Sequence, residues 1–157
     1  MSTLPTKDSI WGEHGWFDKR FMYEESFRTP LIIRYPAKIK AGSECTALVQ
    51  NIDYAPTYLD IAGIEKPDYM VGTSLVPLFG GETPRDWREY LYYHYYDYPA
   101  IHMVRRHDGV RDSRYKLIHF YGEKNEHNDA INCNELYDLQ SDPNELNNLY
   151  DNRNMLI

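Results

Sequence analysis

The sequence predicts an α+β chain: two strand-like runs and a helix, then a small four-stranded antiparallel sheet with a terminal helix. Three observations predict it. A β-branched run, TPLIIRYP (29–36), and a second apolar run, CTALVQ (45–50), precede a segment in which Ala55, Tyr58, Leu59 and Ala62 repeat at helical spacing, a strand-then-helix order. Four short strand-like runs, 90–96, 103–106, 115–121 and 135–139, then follow with turn residues between them, the signature of an antiparallel sheet. Near the end, Asp142, Pro143 and Glu145 resemble a capping box, with Leu146, Leu149 and Tyr150 on one helical face.

Taken in order, TPLIIRYP is bounded by prolines and reads as a buried strand, and AKIKAGSE (37–44) as the loop that follows it. Asp53 is placed to cap a helix over 53–62. Pro56 falls in its first turn, where a missing N–H costs nothing, and Gly63 supplies the stop. Residues 64–87 are dense in Pro and Gly and read as an irregular connection. The expected division is 1–11, 12–87 and an antiparallel part over 88–157. No internal repeat or low-complexity tract interrupts it.

The composition narrows the function classes. A formal net charge of −7 opposes binding to nucleic acid or an acidic membrane, and no apolar run approaches the roughly 20 residues that span a bilayer. The opening MSTLPTKDSIW lacks the apolar segment of a secretory signal, which leaves the compartment open. Local charge runs the other way: HMVRRHDGVRDSRYK (102–116) carries five Arg or Lys against two Asp, a basic, histidine-bearing stretch suited to a small anion. Tyrosine, with 15 copies, offers a flat apolar face and a polar tip, fitting a half-buried strand or a sugar-gripping surface. Cys45 and Cys133 stand in no metal-ligand spacing.

The candidate site residues lie in two places. In GEHGWFDKRFMYEESFR (12–28), His14 stands between glycines that let a main chain approach a ligand, and Lys19 follows five residues on; read alone, the same pattern is also that of a solvent-facing turn and a surface ion pair. In the basic stretch, His102, His107 and Arg111 are the candidates. Strand alternation sends His102 and Arg106 to one face and Arg105 and His107 to the other, so they serve one pocket only if the strand ends or bulges between them. His94 and His119, inside apolar runs, read as structural or exposed.

Together the blocks GEHG-x3-K-x3-YE-x3-R-x-PLI, NID-x-APT-x-LD-x-AGI, GTSL-x-PL, GVR-x3-YKLI and ELYDL-x-x-DP-x-EL-x-NL resemble the C-terminal third of a sulfatase, a family of the alkaline phosphatase-like superfamily. The resemblance runs from Gly12 to Leu149 and is strongest to bacterial enzymes that desulfate glycosaminoglycan or mucin sugars. It implies that 1–11 is a non-matching leader and that 12–87 is the C-terminal end of an alkaline phosphatase-like α/β domain. It also implies sulfuric ester hydrolysis by a formylglycine made from Cys-x-Pro/Ala-x-Arg, and a calcium ion that polarises the sulfate. By the same resemblance Lys19 matches the lysine that contacts a sulfate oxygen and His14 stands beside it. His102, His107 and Arg111 approach the sugar, and Tyr23, Glu24 and Arg28 buttress the loop.

The sequence departs from the family in specific places. Cys45 is followed by TALV and Cys133 by NELY, so neither is the formylglycine precursor. The metal-binding Asp-His-Gly would fall on Thr6, Lys7 and Asp8, which do not match. The expectation is a wall of a sulfate pocket, inactive alone and holding no calcium by itself. Its partners would be a sulfated carbohydrate and either the remaining sulfatase domain or a second copy. The competing expectations are a non-catalytic module for anionic glycans and another phosphate- or sulfate-transferring member of the superfamily.

Overall fold

A computed structural model describes residues 10–11, 13–15, 17–101, 103–124, 126 and 129–151. The chain forms two compact units, Met1–Leu31 with Tyr92–Ile157, and Ile32–Leu91.

The first unit opens with a short antiparallel hairpin, β1 (Ile10–Trp11) and β2 (Phe17–Asp18), in the register Ile10↔Asp18 and Trp11↔Phe17. The turn between them is a 3-10 stretch, Glu13–Gly15, in which His14 (φ 54) and Gly15 (φ 72) both take left-handed backbone. One helical turn, α1 (Glu24–Phe27), follows. The sheet then runs β3 (Leu91–Tyr95), β4 (His107–Arg111), β5 (Tyr115–Gly122) and β6 (Ile131–Asp138), in that spatial order and with antiparallel pairing of β4 to β5 and β5 to β6.

Alternation decides which side of the sheet is core. In β5 the buried set is Lys116, Ile118 and Phe120, and the intervening residues are only half-buried. Phe21, Met22 and Tyr23 cover this inner face together with Tyr95, Val104 and Tyr137. Gly109 lets them approach: a Cβ there would stand 2.5 Å from both the Leu117 carbonyl oxygen and the Met22 sulfur. Only glycine admits the chain that close.

The expected strand at 103–106 is displaced. The strand starts at His107, after an irregular stretch in which Met103 takes φ 52, so strand alternation does not run through 103–106. The expected terminal helix does not form among the described residues. Glu145 takes φ 53, outside the right-handed helical region, and Leu146 is 69% exposed. Instead the segment folds back in turns, Asn147 N–H donating to Asp142 Oδ2 at 2.7 Å and Leu149 N–H to the Leu136 carbonyl at 2.8 Å.

The second unit is built around α2 (Tyr54–Ile61), preceded by a 3-10 turn (Asn51–Asp53). Its end is as read: Gly63 takes φ 68, its N–H bonds the Asp60 carbonyl at 3.1 Å and Ile64 N–H bonds the Leu59 carbonyl at 2.9 Å. Its start and its face differ. The Asp53 side chain does not cap α2, and the buried helix residues are Pro56 and Thr57, while Tyr58 on the expected apolar face is 72% exposed.

The two expected strands at 29–36 and 45–50 are irregular. A strand is a property of pairing, and among the described residues neither run has a neighbour to form a ladder with. Ile32 is accordingly 91% exposed. Tyr35, Ala47 and Val49 still pack on a small core of Leu75, Leu78 and Phe79, and Trp87 Nε1 ties the second run down through the Leu48 carbonyl at 2.9 Å.

A buried carboxylate organises this unit. Asp53 accepts both Arg88 guanidinium nitrogens at 2.7 and 2.8 Å, Gln50 N–H at 2.8 Å and Thr73 N–H at 2.9 Å. Thr57 Oγ1 donates to the Asp53 carbonyl at 2.6 Å and accepts Leu75 N–H at 2.9 Å. These contacts join NIDYAPT to GTSL, and Gly72 is required where they meet, since a Cβ there would lie 2.0 Å from the Ile52 carbonyl oxygen.

Candidate functional site

The hairpin turn presents the first two candidates. Left-handed backbone turns His14 back onto the chain that follows: its imidazole stacks on Tyr23 with ring centroids 4.0 Å apart and planes 6° from parallel, and its Nε2 lies 3.7 Å from Glu25 Oε2. His14 is therefore half-buried. Lys19, just past β2, is exposed.

Behind this turn the supports are layered. Tyr23 donates its hydroxyl to Glu135 Oε2 at 2.8 Å and Tyr137 donates to the same oxygen at 3.0 Å. Burial, reinforced by that carboxylate, pushes both phenols well above the ordinary tyrosine range, so both stay protonated donors. Glu24 lies between two cations that sit opposite each other on neighbouring strands, Arg111 on β4 and Lys116 on β5. Its Oε1 is 2.8 Å from Lys116 Nζ and 3.3 Å from Arg111 Nη1. Without a shared anion this cross-strand pair would repel. Lys116, 0% exposed, also reaches Glu145 Oε1 at 2.7 Å and the Met22 carbonyl at 2.7 Å. The second Glu145 oxygen accepts Glu24 N–H at 2.6 Å. Burial pushes the Glu145 carboxyl up, against the opposing pull of Lys116.

Tyr23 and Glu24 thus hold the loop as expected, while Arg28 is exposed. Lys116 and Glu145 were not singled out from the sequence. The available signal was parity: Lys116 shares its side of β5 with Ile118 and Phe120, and a lysine on an apolar face needs a buried partner.

The basic stretch separates its candidates. His107 is 0% exposed and ringed by Phe21, Tyr93, Tyr95 and Phe120, with centroids 5.0–6.1 Å away. Its Nδ1 is 2.8 Å from the Arg105 carbonyl, and burial lowers its pKa, keeping the ring neutral. No ligand arriving from solvent reaches it unless that aromatic layer moves, because the inward side of β4 faces the core. Arg111 is drawn inward too, with its guanidinium on Glu24 and its Nε donating to the Asp112 carbonyl at 3.1 Å. His102, like Thr6, Lys7 and Asp8, lies outside the described residues. On the outer face, His94 bridges the Tyr92 and Tyr121 hydroxyls at 2.9 and 3.0 Å, and His119 pairs with Asp108 at 3.3 Å.

Among the described residues no group of three or more His, Cys, Asp or Glu could hold a metal ion. Cys45 and Cys133 are both free and exposed. No described helix is long and apolar enough to cross a membrane.

A four-stranded antiparallel sheet with few helices, its inner face covered by Phe21, Met22 and Tyr23, matches the C-terminal domain of a sulfatase. Residues 12–156 match the family described as N-sulphoglucosamine sulphohydrolase, C-terminal, and the chain belongs to that family. It is 55% identical over 141 residues to an N-acetylglucosamine-6-O-sulfatase of Bacteroides thetaiotaomicron, a match covering 88% of this chain and 24% of the relative. A solved structure described as a complex with its substrate D-glucosamine-2-N,6-O-disulfate superposes with a TM-score of 0.83 at 53% identity, covering 92% of this chain and 28% of that one. A phosphonate monoester hydrolase from Silicibacter pomeroyi superposes with a TM-score of 0.70 at 29% identity, covering 90% of this chain and 28% of that one. The chain thus spans about a quarter of the length of the relatives it matches.

Proposed function

We infer that this chain forms one wall of a sulfatase active site that takes a sulfated amino sugar, contributing the lysine that meets the sulfate and the framework that holds it. The observation carrying this reading is the exposed Lys19 directly after a hairpin whose turn is tied down by the His14–Tyr23 stack. A lysine is a compact point charge that can neutralise a sulfate oxygen without bidentate geometry, and charge developing on that oxygen during S–O cleavage strengthens the contact. His14, half-buried in the turn, is the other residue of this block that the reading assigns to the sulfate wall. The reading keeps His102 as a candidate for the sugar, while Arg111, drawn onto Glu24, and His107, packed at the start of β4, enter it only as framework.

The formylglycine precursor is not one of the two cysteines of this chain, and the described residues offer no calcium cradle. In this reading both belong to the longer protein, and the 157-residue chain alone does not turn over sulfate esters. The family relationship and the sulfated glucosamine bound by the solved relative support sulfate over phosphonate. Fold alone would not, since a phosphonate hydrolase shares it.

Titration of the chain with a heparin-derived oligosaccharide tests the reading. The Lys19→Ala variant is expected to bind at least fivefold more weakly. Unchanged affinity would remove Lys19 from the ligand set, and turnover of an aryl sulfate by the chain alone would overturn the division of labour.

A further inference from the structure

We propose that Lys116 and Glu145 are positioning residues for this sulfate wall, a buried lock by which the C-terminal turn sets the conformation of the segment between Lys19 and Tyr23. The proposal deepens the function inferred above and rests on it.

The lock grips the main chain of that segment. Lys116 Nζ holds the Met22 carbonyl at 2.7 Å and Glu145 Oε2 holds the Glu24 amide at 2.6 Å, so the peptide groups on either side of Tyr23 are each anchored to one member of the pair. The two members are joined at 2.7 Å, and Lys116 also takes Glu24 Oε1 at 2.8 Å. Tyr23 carries the ring on which His14 stacks, and Met22, directly after Phe21 and Arg20, leads back to Lys19. Gly109 completes the seat by admitting the Met22 side chain. The path from Glu145 to His14 therefore consists of anchored peptide groups and one ring stack, each buried or half-buried.

Two features argue for more than generic stability. Glu145 reaches the lock only because its backbone adopts φ 53, a conformation disfavoured for a residue with a Cβ, and its carboxylate is buried at an electrostatic cost that Lys116 only partly offsets. An apolar pair would fill the same space without either cost. What it could not do is hold a carbonyl and an amide at fixed points with charge-assisted hydrogen bonds. The arrangement is that of a second layer behind a reactive group, in which small displacements carry large consequences.

The test follows the imidazole resonances of His14 in the intact chain, which the Tyr23 ring displaces while the stack is in place, alongside affinity for the heparin-derived oligosaccharide. In Glu145→Gln, the His14 resonances are expected to move toward unstacked values and affinity to fall at least threefold in a protein that remains folded. Asp53→Asn, in the other unit, serves as a comparison that loses stability without disturbing His14. If Glu145→Gln does not fold, Glu145→Asp, which keeps the charge but withdraws it by one methylene, is read the same way. Unmoved His14 resonances with unchanged affinity, in the presence of a lowered melting temperature, would reduce the pair to a stability element and overturn the proposal. Loss of the His14 signature while Lys19→Ala binds normally would retain the lock and reject the sulfate reading instead.

Discussion

Each unit has, among its described residues, a fully buried charge at the centre of a network, and the two centres have opposite sign. In the sheet unit the buried centre is a cation, Lys116, with side-chain exposures of 0% at the lysine and 13% and 0% at Glu24 and Glu145. In the helix-and-loop unit it is a carboxylate, Asp53, 0% exposed beneath an Arg88 whose side chain is 19% exposed. The first cluster is sealed under a continuous aromatic and aliphatic core, whereas the second ties loops together beside a core of three buried residues. The difference teaches where each unit's order comes from. The sheet unit covers its own apolar face, while the helix-and-loop unit relies on a polar knot and leaves Ile32, Tyr58, Ile61 and Ile64 exposed.

The sharpest way to break the comparison is to remove each centre. Lys116→Met leaves two carboxylates without their cation and is expected to lower stability by about 3–5 kcal/mol, or to prevent folding. Asp53→Ala strands an arginine that can turn to water, so its cost is expected to be smaller, about 2–3 kcal/mol. Denaturant unfolding monitored in each unit checks the order, and a larger loss for Asp53→Ala would contradict it. The glycine seats come next. Gly72→Ala puts a methyl group 2.0 Å from a carbonyl oxygen and Gly109→Ala puts one 2.5 Å from another, beside a flexible methionine. Both are expected to cost about 1–3 kcal/mol, the first more than the second.

Acidification should act on the sheet unit first. His107 is neutral in the folded chain because burial lowers its pKa below 6.5, so below that pH the unfolded chain takes up a proton that the folded chain refuses. Stability is expected to hold above pH 6.5 and to fall as pH drops below it, and a smaller fall in His107→Gln would assign the effect to this ring. The Asp138 carboxyl, held near a pKa of about 2 by Arg114, would add its loss only below pH 3.8. The smallest effect on stability is expected at the bare surface. Ile32→Lys should change it by less than about 0.5 kcal/mol while reducing self-association in light scattering, and unchanged association would place the sticky surface elsewhere.

Motifs that encode local geometry were readable directly. Gly63 stops α2 because it alone takes left-handed backbone cheaply, and three of the four strand-like runs overlap observed strands, while the fourth, 103–106, is irregular and its strand begins at His107. Runs whose state depends on neighbours were not. TPLIIRYP and CTALVQ carry strand propensity but lack a pairing edge among the described residues, and the 142–150 segment carries helix signals that Glu145 overrides by turning inward.

The sequence by itself determined the family blocks, the charge contrast of the basic stretch, the turns and the exposed lysine's place after the GEHG hairpin. Long-range contacts set the rest: Asp53 meets Arg88 instead of capping α2, His107 lies in the core, and Lys116 and Glu145 grip the chain on either side of Tyr23. The reason is range. Turn and capping preferences act over a few residues, whereas the energy of a buried charge depends on which distant groups arrive to compensate it, here across separations of 94 and 121 residues.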